Sequence, residues 1–497
     1  MEARLTPARA LAVVVALSTV ARAETRPHYG GKLEASLLGA PATLDPAAAQ
    51  SHAELTVAEL VFDTLYHVEL SGPEPHVAAA LPELDAAGTK AKIALRKGIK
   101  FHDGTALTPQ DVAASLDRAR TSTGRWALAT IAQVKANGDG IELVLTVPAT
   151  PGELAQWLAL APASITKHGK PPGEKPIGTG PFAVDGFDRK TRRLALRAFD
   201  DHFAGRPYLD RLVLSWFDTP DGEARQFETG AAQLSARGVA AFTTGQPKFK
   251  ASFVDGSASL LLFVGFGKKH ADVTNDRGFR RALELAIDRG VLASINKGEA
   301  VLPAAEPMPG SVPSATARTG DIAQAKAQLA QAASRVKALA PGAIGSLSLE
   351  IAFDDSRPDD RDLAERLARA LGKLGVASTL SAYSANVLRD HVQRGTTDLY
   401  IGQLAAPSNQ PAAWWSAAFS AGGDDWAAGK LAAGALVVGD AQKEFAQRLP
   451  IIPLMFRGVR MWHRTDIRGL RFDTCGRPGF ADVFLFGQPV AMTKLKP

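Results

Sequence analysis

Hydrophobic and polar positions follow two different periods along the chain, and the two periods alternate from one segment to the next. Ala91, Ile93 and Leu95 alternate with more polar neighbours, which is the pattern of a strand with one buried face. Residues 260–266 form an uninterrupted apolar run, which indicates a fully buried strand. Residues 276–288 and 360–374 carry apolar side chains at helical spacing. The mixture predicts an α/β protein.

The same patterns predict further elements between these segments. They are a strand over 30–38, a helix over 54–66, paired strands over 128–134 and 141–147, strands over 212–216, 347–351, 376–380 and 398–401, and an Ala-rich helix over 321–340. A short strand over 99–101 is also predicted.

The stretch from Leu95 to Arg118 combines several local signals in one unit, LRKGIKFHDGTALTPQDVAASLDR. Asp103-Gly104 is a strong turn dipeptide, because glycine accepts positive φ without steric cost. Thr108 is placed to cap a helix, with proline next and Asp111 three residues on. His102 and Asp103 are adjacent, as acid–base groups can be, but their place in this unit makes them turn residues.

This stretch resembles the signature of the extracellular solute-binding proteins of family 5, which serve peptide and nickel ABC importers. Shorter matches to the same family occur at residues 42–46, 176–182, 279–289 and 449–454, and the resemblance runs with gaps from Gly30 to about Phe486. The resemblance implies a periplasmic binding protein-like α/β fold. In that fold two lobes close about a hinge, and an extra small domain is added, as in dipeptide and oligopeptide receptors.

The resemblance also implies a domain order. Residues 24–55, 175–262 and 465–497 are expected to form lobe I, residues 56–174 the extra domain II, and residues 263–464 lobe III. Residues 425–448 look shorter than the corresponding family region, which is longer and carries a helix.

The N-terminus has the features of a secretory signal peptide. Arg4 and Arg9 precede an apolar run over 10–20 that is too short to span a bilayer, and the A-x-A sequence 21–23 follows it. We expect cleavage after Ala23 and export to the periplasm. Cysteine is absent at the cleavage site, so no lipid anchor is predicted. No later apolar run reaches about 18 residues, so membrane insertion is not predicted either.

Composition narrows the possible partners. The 497 residues are 46% hydrophobic and 22% charged, as in ordinary globular proteins of two or three domains. Removing the signal peptide lowers the net charge from +6 to +4, because three Arg and one Glu leave. The basic residues are scattered and aromatics are 7%, so nucleic-acid binding is not predicted. The only cysteine, Cys475, excludes an intrachain disulfide and is predicted to be a small core or loop residue.

No catalytic or metal-binding motif is present in the sequence. H-E-x-x-H, G-x-S-x-G and C-x-x-C are all missing, so the chain is not predicted to be an enzyme. The glycine-rich residues 176–182 lack the Lys-Ser/Thr of a phosphate loop, and Pro181 offers no N–H group. The ten histidines are dispersed without ligand spacing, so neither a metal nor a cofactor is predicted.

The resemblance directs attention to the loop after the strand at 399–401. In peptide-binding relatives an Asp in this loop meets the ligand ammonium, and alignment on Pro411 puts Pro407 in its place. A buried ammonium without a carboxylate costs several kcal/mol, so ordinary peptide binding is in doubt. Ser408 and Asn409 of this loop are predicted ligand contacts. Trp414 and Trp415 begin the following helix, where either one lines the pocket or both are core residues.

Two further ligand contacts are predicted outside this loop. Arg357-Pro358 matches the Arg-Pro of dipeptide-type relatives, where the Arg meets a ligand carboxylate, and a guanidinium suits an anionic group. The alternative is a surface Arg357 paired with Asp354, Asp355 or Asp359. His52 lies in the first-lobe loop that faces the cleft in relatives and is a predicted polar contact.

The leading hypothesis is the substrate-binding component of an ABC importer that binds a small peptide-like or anionic solute and docks, as a monomer, on permease subunits. One alternative is a chaperone or assembly protein that has lost transport, which the short 425–448 region suggests. Another is a nickel-chelate receptor, because nickel receptors share the fold. A secreted hydrolase is the least supported hypothesis.

Overall fold

The computed structural model describes residues 27–236, 246–294, 301–309, 319–357 and 359–486. The predicted signal peptide, its cleavage site and Pro358 lie outside the described residues. Among the described helices, none has the length and apolar character needed to cross a bilayer.

Strands are distributed along the whole described chain. They are β1 Lys32–Ser36, β2 Tyr66–Glu69, β3 Gly72–Pro75, β4 Glu83–Leu84, β5 Lys90–Ala94, β6 Ile131–Asn137, β7 Gly140–Leu145, β8 Phe182–Asp188, β9 Arg193–Ala198, β10 Arg211–Ser215, β11 Leu234–Ser235, β12 Ser252–Asp255, β13 Leu260–Phe266, β14 Val301–Pro303, β15 Ser348–Asp354, β16 Ala377–Tyr383, β17 Leu399–Ala405, β18 Ile452–Arg457, β19 Arg460–His463, β20 Ile467–Arg468, β21 Arg471–Phe472, β22 Pro478–Gly479 and β23 Phe484–Leu485.

Helices separate many of these strands. They are α1 His52–Val61, α2 Pro109–Ala119, α3 Pro151–Trp157, α4 Pro220–Thr229, α5 Ala271–Thr274, α6 Arg277–Ala286, α7 Ile322–Ala333, α8 Asp360–Lys373, α9 Ala385–Arg394, α10 Pro411–Ala421, α11 Trp426–Ala432 and α12 Val438–Arg448. Short 3-10 turns occur at Pro46–Ala48, Arg125–Leu128, Ala161–Ala163, Lys167–Gly169, Gly290–Ser294, Lys337–Leu339 and Ile344–Ser346.

The strands assemble into large sheets that separate the chain into packed units. In the described residues the first sheet has the order β12-β19-β11-β1-β10-β9-β8, and the second has the order β14-β18-β13-β17-β15-β16. A small sheet of order β4-β5-β7-β6 forms from the chain between α1 and β8. Each sheet packs on a hydrophobic core, and the core of the first sheet also includes Leu260, Ala385 and Ala405 from the unit of the second sheet. The described chain passes from the first sheet to the second at 256–259 and returns at 458–459.

Local sequence signals predicted several elements closely. Strand β13 spans the predicted residues 260–266 and is buried along nearly its whole length. Helix α2 has the predicted capping box, since the Thr108 side chain accepts from the Asp111 N–H and the Asp111 side chain accepts from the Thr108 N–H. Val112 and Leu116 are fully buried on one face of α2. These predictions are confirmed because each depends on neighbours within a few residues.

Other element boundaries were predicted wrongly. The helix expected over 54–66 is α1, which begins at His52, because Ser51 caps it in a box with Glu54, and ends at Val61, because Phe62 takes an extended conformation. The helix expected over 321–340 ends at Ala333, and Val336 is extended. The short strand expected over 99–101 is reduced to an isolated bridge between Lys100 and Ala106.

The glycine-rich loop at 176–182 packs against the end of α1. A Cβ on Gly178 would lie 1.9 Å from the Val61 carbonyl oxygen, so only glycine fits this approach. The Gly180 N–H donates to the same oxygen at 3.0 Å. His102 fixes the loop from the other side, because its Nδ1 accepts from the Gly178 N–H at 3.2 Å and its Nε2 lies 2.9 Å from the Gly180 carbonyl oxygen. Burial lowers the pKa of His102 to about 4, which keeps Nδ1 available as an acceptor.

We expect Gly178→Ala to destabilise the protein by about 1–3 kcal/mol, because the added Cβ forces the loop away from the end of α1. The matched control is Gly173→Ala in the same connection, where a Cβ meets nothing within 4 Å. Thermal unfolding followed by circular dichroism measures both. Equal melting temperatures for the two variants would contradict the close approach.

Candidate functional site

A cavity of about 230 Å³ lies where the first sheet, the second sheet and the small-sheet domain meet. Its wall is built from four stretches that are distant in sequence, at residues 58–69, 159–164, 407–409 and 473–477. A much smaller cavity of about 20 Å³ adjoins it and shares Leu160, Ala161, Pro407 and Arg477. We call the larger one the cleft cavity. Its position between separate packed units is typical of ligand sites.

Direct contacts join the two large units beside the cleft cavity. The Ala405 N–H donates to the Gln50 carbonyl oxygen at 2.8 Å, and the His52 N–H donates to Gln403 Oε1 at 3.1 Å. Further contacts of this kind are Ala40 N–H to Ser356 Oγ at 2.8 Å and Arg389 Nη2 to the Ala48 carbonyl oxygen at 2.9 Å. The two units are therefore in direct contact beside the cavity.

The guanidinium of Arg477 forms ion pairs with two carboxylates in the cleft cavity. Arg477 Nε lies 2.8 Å from Glu59 Oε1, and Arg477 Nη2 lies 2.9 Å from Asp473 Oδ2. The Arg477 side chain is only 13% exposed, whereas those of Glu59 and Asp473 are 44% and 37% exposed.

Glu69 also faces the cavity. Partial removal of the Glu59 carboxyl group from water raises its pKa to about 7, and the charge of Arg477 opposes this effect, so Glu59 is only partly ionised near neutral pH. Glu69 and Asp473 still outnumber the single guanidinium among the described lining residues, and the cavity favours a cationic group on its ligand.

The loop at 473–477 is held in shape by its own first residue. Asp473 Oδ1 accepts from the N–H groups of Cys475 and Arg477 at 2.9 and 2.8 Å. Gly476 takes a φ of +76°, which glycine accepts readily. Cys475 is a buried loop residue, as predicted, and lines the cavity, where burial raises the pKa of its thiol. The loop therefore presents Arg477 from a rigid turn.

Ser408 and Asn409, the predicted contacts in the loop after β17, both line the cleft cavity. Ser408 is buried, and its Oγ accepts from the Gln410 N–H at 3.1 Å. Asn409 is exposed towards the cavity, with Oδ1 4.0 Å from the Cys475 sulfur. Pro407 lies beside them, at the place where relatives were expected to carry an Asp. The loop is thus in the site, without an acidic side chain.

Arg357 occupies a different place from the predicted carboxylate contact. Its guanidinium pairs with Asp360 Oδ2 at 2.8 Å and Asp354 Oδ2 at 3.3 Å, and Nη2 also donates to the Ile401 carbonyl oxygen at 3.0 Å. Arg357 does not line the cleft cavity among the described residues. The alternative of an Arg paired with neighbouring carboxylates therefore fits better, with Asp360 as a partner and the pair buried instead of on the surface.

Trp414 and Trp415 lie inside the packed core around α10. Trp414 meets Phe456 edge-on with ring centroids 5.6 Å apart, and Trp415 meets Phe445 in the same way at 5.5 Å. They are 3% and 1% exposed, and the described lining of the cleft cavity includes neither. This burial fits the core alternative, because both rings are already covered by aromatic neighbours.

His52 is buried where the two units meet and is not among the described residues that line the cavity. Its Nε2 lies 3.1 Å from the Gly476 carbonyl oxygen, and the residue is 3% exposed. Burial lowers the pKa of His52 to about 4, the Gly476 carbonyl opposes that effect, and the charge of Arg477 adds to it. The ring is therefore neutral at pH 7, with its proton on Nε2.

Several site residues were missed from the sequence. Glu59 is one of four polar residues on α1, and Arg477 follows a turn near the end of the chain. Nothing in their spacing indicates that they pair. A further group was missed because its residues are far apart in the sequence. The structure brings Asp63, His76 and His202 together, with potential ligand atoms within 4.8 Å of one another. Their geometry could accommodate a metal ion.

Comparisons with known proteins agree with this architecture. A family model described as "Bacterial extracellular solute-binding proteins, family 5 Middle" matches residues 72–426. The structure of the oligopeptide-binding protein AppA from Bacillus subtilis in complex with a nonapeptide superposes with a TM-score of 0.73 at 17% identity, covering 93% of this chain and 100% of that one. The predicted periplasmic binding protein-like fold, with two lobes and an extra domain, is confirmed.

Curated relatives match over part of their length. AppA from Bacillus subtilis strain 168 is 25% identical over 301 residues, which are 56% of this chain and 53% of the relative. The glutathione-binding protein GsiB of Pectobacterium atrosepticum is 26% identical over 318 residues, 60% of each chain. The chain thus spans little more than half the length of these relatives.

We expect His52 to make the protein acid-sensitive. Since its pKa is about 6.5 unfolded and about 4 folded, stability is lost as the pH falls from 6.5 towards 4. Between pH 7 and pH 5 the loss is about 2 kcal/mol. His52→Gln keeps a donor for Gly476 but does not titrate, so urea unfolding should show a shallower pH dependence for the variant. Parallel pH curves for both proteins would contradict a buried neutral His52.

Proposed function

Because the chain belongs to family 5 of the bacterial extracellular solute-binding proteins, we propose that it is the periplasmic substrate-binding component of an ABC importer. It binds a small solute between its lobes and delivers it, as a monomer, to permease subunits, with no bond chemistry. The supporting observation is the cleft cavity, whose wall comes from both lobes and the extra domain. A solute enclosed there has its polar groups removed from water, so the wall must supply partners for them.

The proposed solute is a short peptide or peptide-like compound with a free ammonium group. The lining carries carboxylates of Glu59, Glu69 and Asp473 against the guanidinium of Arg477. These carboxylates offer the ammonium partner that Pro407 lacks. The relatives are named for oligopeptide and glutathione binding, which fits a peptide-like ligand. The cavity of about 230 Å³ falls below the common range of about 300–1,000 Å³ for larger ligands, which favours a short one.

Opening and closing are proposed to occur at the two crossings, residues 256–259 and 458–459. The first sheet falls mostly in predicted lobe I and the second mostly in predicted lobe III, although β19 of the first sheet and the first three residues of β13 lie across the predicted bounds. We propose that the two sheet units rotate about these short segments.

The contacts that join the lobes include hydrogen bonds such as Ala405 N–H to the Gln50 carbonyl, the ion pair of Arg389 with Glu54, and apolar packing of Ala385 and Ala405 on the core of the first sheet. Water replaces the polar contacts in an open state, so the proposed opening has to overcome mainly the apolar contact.

The region at 425–448 supports a complete third lobe and therefore transport over a purely assembly role. Helix α12 inserts Phe445 into the core, where it packs edge-on against Trp415 and Phe419. Asp425 forms an ion pair with Arg125 of the extra domain. The short segment thus folds onto its neighbours.

The first experiment is a thermal-shift screen of the mature protein against dipeptides, tripeptides including glutathione, their N-acetylated forms, polycarboxylates and nickel–histidine chelates. Selective binding to the folded state raises the melting temperature by mass action. We expect free-amine peptides to stabilise the protein and N-acetylated peptides to have little effect. Stabilisation by nickel chelates or polycarboxylates alone would contradict the proposed solute, and no stabilisation by any compound would contradict the receptor function.

Filling the cleft cavity should abolish solute binding. We expect Asn409→Trp to remove the peptide-induced thermal shift, because the ring occupies the cavity that Asn409 faces. Asn137→Trp, at an exposed hairpin position, is the matched control and should keep the shift. A shift retained in Asn409→Trp would place the solute elsewhere.

Neutralising Glu59 tests the acidic lining separately. At pH 8, above the Glu59 pKa of about 7, we expect Glu59→Gln to weaken binding of a free-amine peptide by about 1.5–3 kcal/mol, the typical worth of a hydrogen bond to a charged group. Calorimetric titration measures the change, with the exposed Glu142→Gln as control. Unchanged affinity in Glu59→Gln would assign the ammonium to another group.

A further inference from the structure

A second polar cluster, formed by Asp63, His76 and His202, lies behind the wall of the cleft cavity. Asp63 belongs to the segment after α1, His76 directly follows β3, and His202 lies in the loop between β9 and β10. Asp63 Oδ1 is 2.8 Å from His76 Nε2 and 3.6 Å from His202 Nε2. The side chains are 3%, 12% and 7% exposed, so the cluster is nearly closed to solvent. We call it the Asp63 cluster.

The hydrogen bonding of His202 fixes which ring nitrogen faces Asp63. His202 Nδ1 lies 3.0 Å from the Gly205 carbonyl oxygen, which can only accept, so the proton is on Nδ1. In the neutral ring Nε2 then carries a lone pair, and it faces a carboxylate oxygen. Among the described residues, neither His202 Nε2 nor Asp63 Oδ2 has a hydrogen-bond partner, although both atoms are buried.

A second proton on His202 Nε2, which makes the ring an imidazolium, or a metal ion between Nε2 and the Asp63 carboxylate balances this arrangement. Burial lowers the pKa of His202, but its contact with Asp63 opposes this effect and the net change raises the pKa. Titration with a metal ion separates the two cases.

The spacing of the three ligand atoms suits a tetrahedral metal ion. Zinc binds histidine nitrogen at about 2.0–2.1 Å and carboxylate oxygen at about 2.0–2.2 Å, which separates tetrahedral ligands by roughly 3.4 Å. The two separations from Asp63 Oδ1, 2.8 and 3.6 Å, lie on either side of this value. The contact from His202 Nδ1 to a backbone carbonyl is the usual outer support of a metal-binding histidine.

The ligand types select a class of metal. Two imidazoles and a carboxylate suit zinc and its neighbours nickel and cobalt, whereas magnesium and calcium prefer oxygen ligands alone. Aromatic rings wall the cluster, since His67 stacks on His76 at 3.6 Å between centroids and Phe203 lies 4.8 Å from His76. Three protein ligands leave a fourth position for water.

We propose that Asp63, His76 and His202 bind one divalent transition-metal ion of the zinc class, which ties the β2–β3 ribbon to the β9–β10 loop of the first lobe. The site is separate from solute binding, because none of its three ligands lines the cleft cavity in the described residues. His67 and Thr64 belong to the same stretch and do line that cavity. The ion therefore stiffens the cavity wall from behind.

The test uses the untagged mature protein, stripped with EDTA and titrated calorimetrically with Zn²⁺ in the absence of any solute. We expect one bound ion per chain, a raised melting temperature with Zn²⁺, and no effect of Mg²⁺. Asp63→Asn and His202→Gln should each weaken Zn²⁺ binding by more than about tenfold. The matched control is His270→Gln, because His270 pairs with Asp398 at 2.8 Å in a site that gains no third ligand among the described residues.

Folding and coordination are checked independently. Circular dichroism of each metal-free variant identifies those that fold, and His76→Gln replaces any variant that does not. Cobalt(II) should give the visible absorption of a four- or five-coordinate ion in the wild type and lose it in the folded cluster variants. The proposal is overturned if the wild type binds no Zn²⁺, or if folded cluster variants bind it like the wild type. Peptide binding plays no part in these readouts, so their failure is distinct from failure of the receptor function.

Discussion

The ion pairs of Arg477 are the interaction on which the cleft depends. A guanidinium that is nearly closed to solvent must be paired, and its partners come from α1 and from its own turn. The pairing draws the C-terminal loop of the first lobe onto the helix that begins at the lobe junction. It also leaves the carboxylates of Glu59 and Asp473 partly exposed to the cavity. The same interaction thus closes the wall and sets the sign of its charge.

Close backbone packing complements this electrostatic constraint. Gly178 and Gly180 allow the segment that leaves the extra domain to touch the end of α1, and His102 holds that segment in place. The extra domain is therefore fixed to the first lobe. Between the two large lobes the described contacts combine hydrogen bonds, the ion pair of Arg389 with Glu54, and a small apolar contact. In the proposed receptor function this second boundary is the one that opens.

Histidines show how one residue type takes different roles in this protein. His52 and His102 are buried beside carbonyl groups without a carboxylate partner, and burial keeps them neutral as structural hydrogen-bonding groups. His76 and His202 converge on the buried Asp63, where a cation suits the charge balance. The surroundings decide the role in each case, and those surroundings are assembled from segments far apart in the chain.

The sequence by itself determined the elements whose causes are local. The cap at Thr108, the alternation of β5 and the apolar run of β13 depend on a few neighbouring residues, and a family resemblance added the fold and the loop that carries Ser408 and Asn409. Only the tertiary structure determined which side chains contact one another. Arg357 is paired with Asp360, Trp414 and Trp415 are covered by aromatic rings, and Glu59 reaches Arg477 across more than 400 positions. Such pairs depend on how the lobes pack, and this packing cannot be inferred from the spacing of residues along the chain.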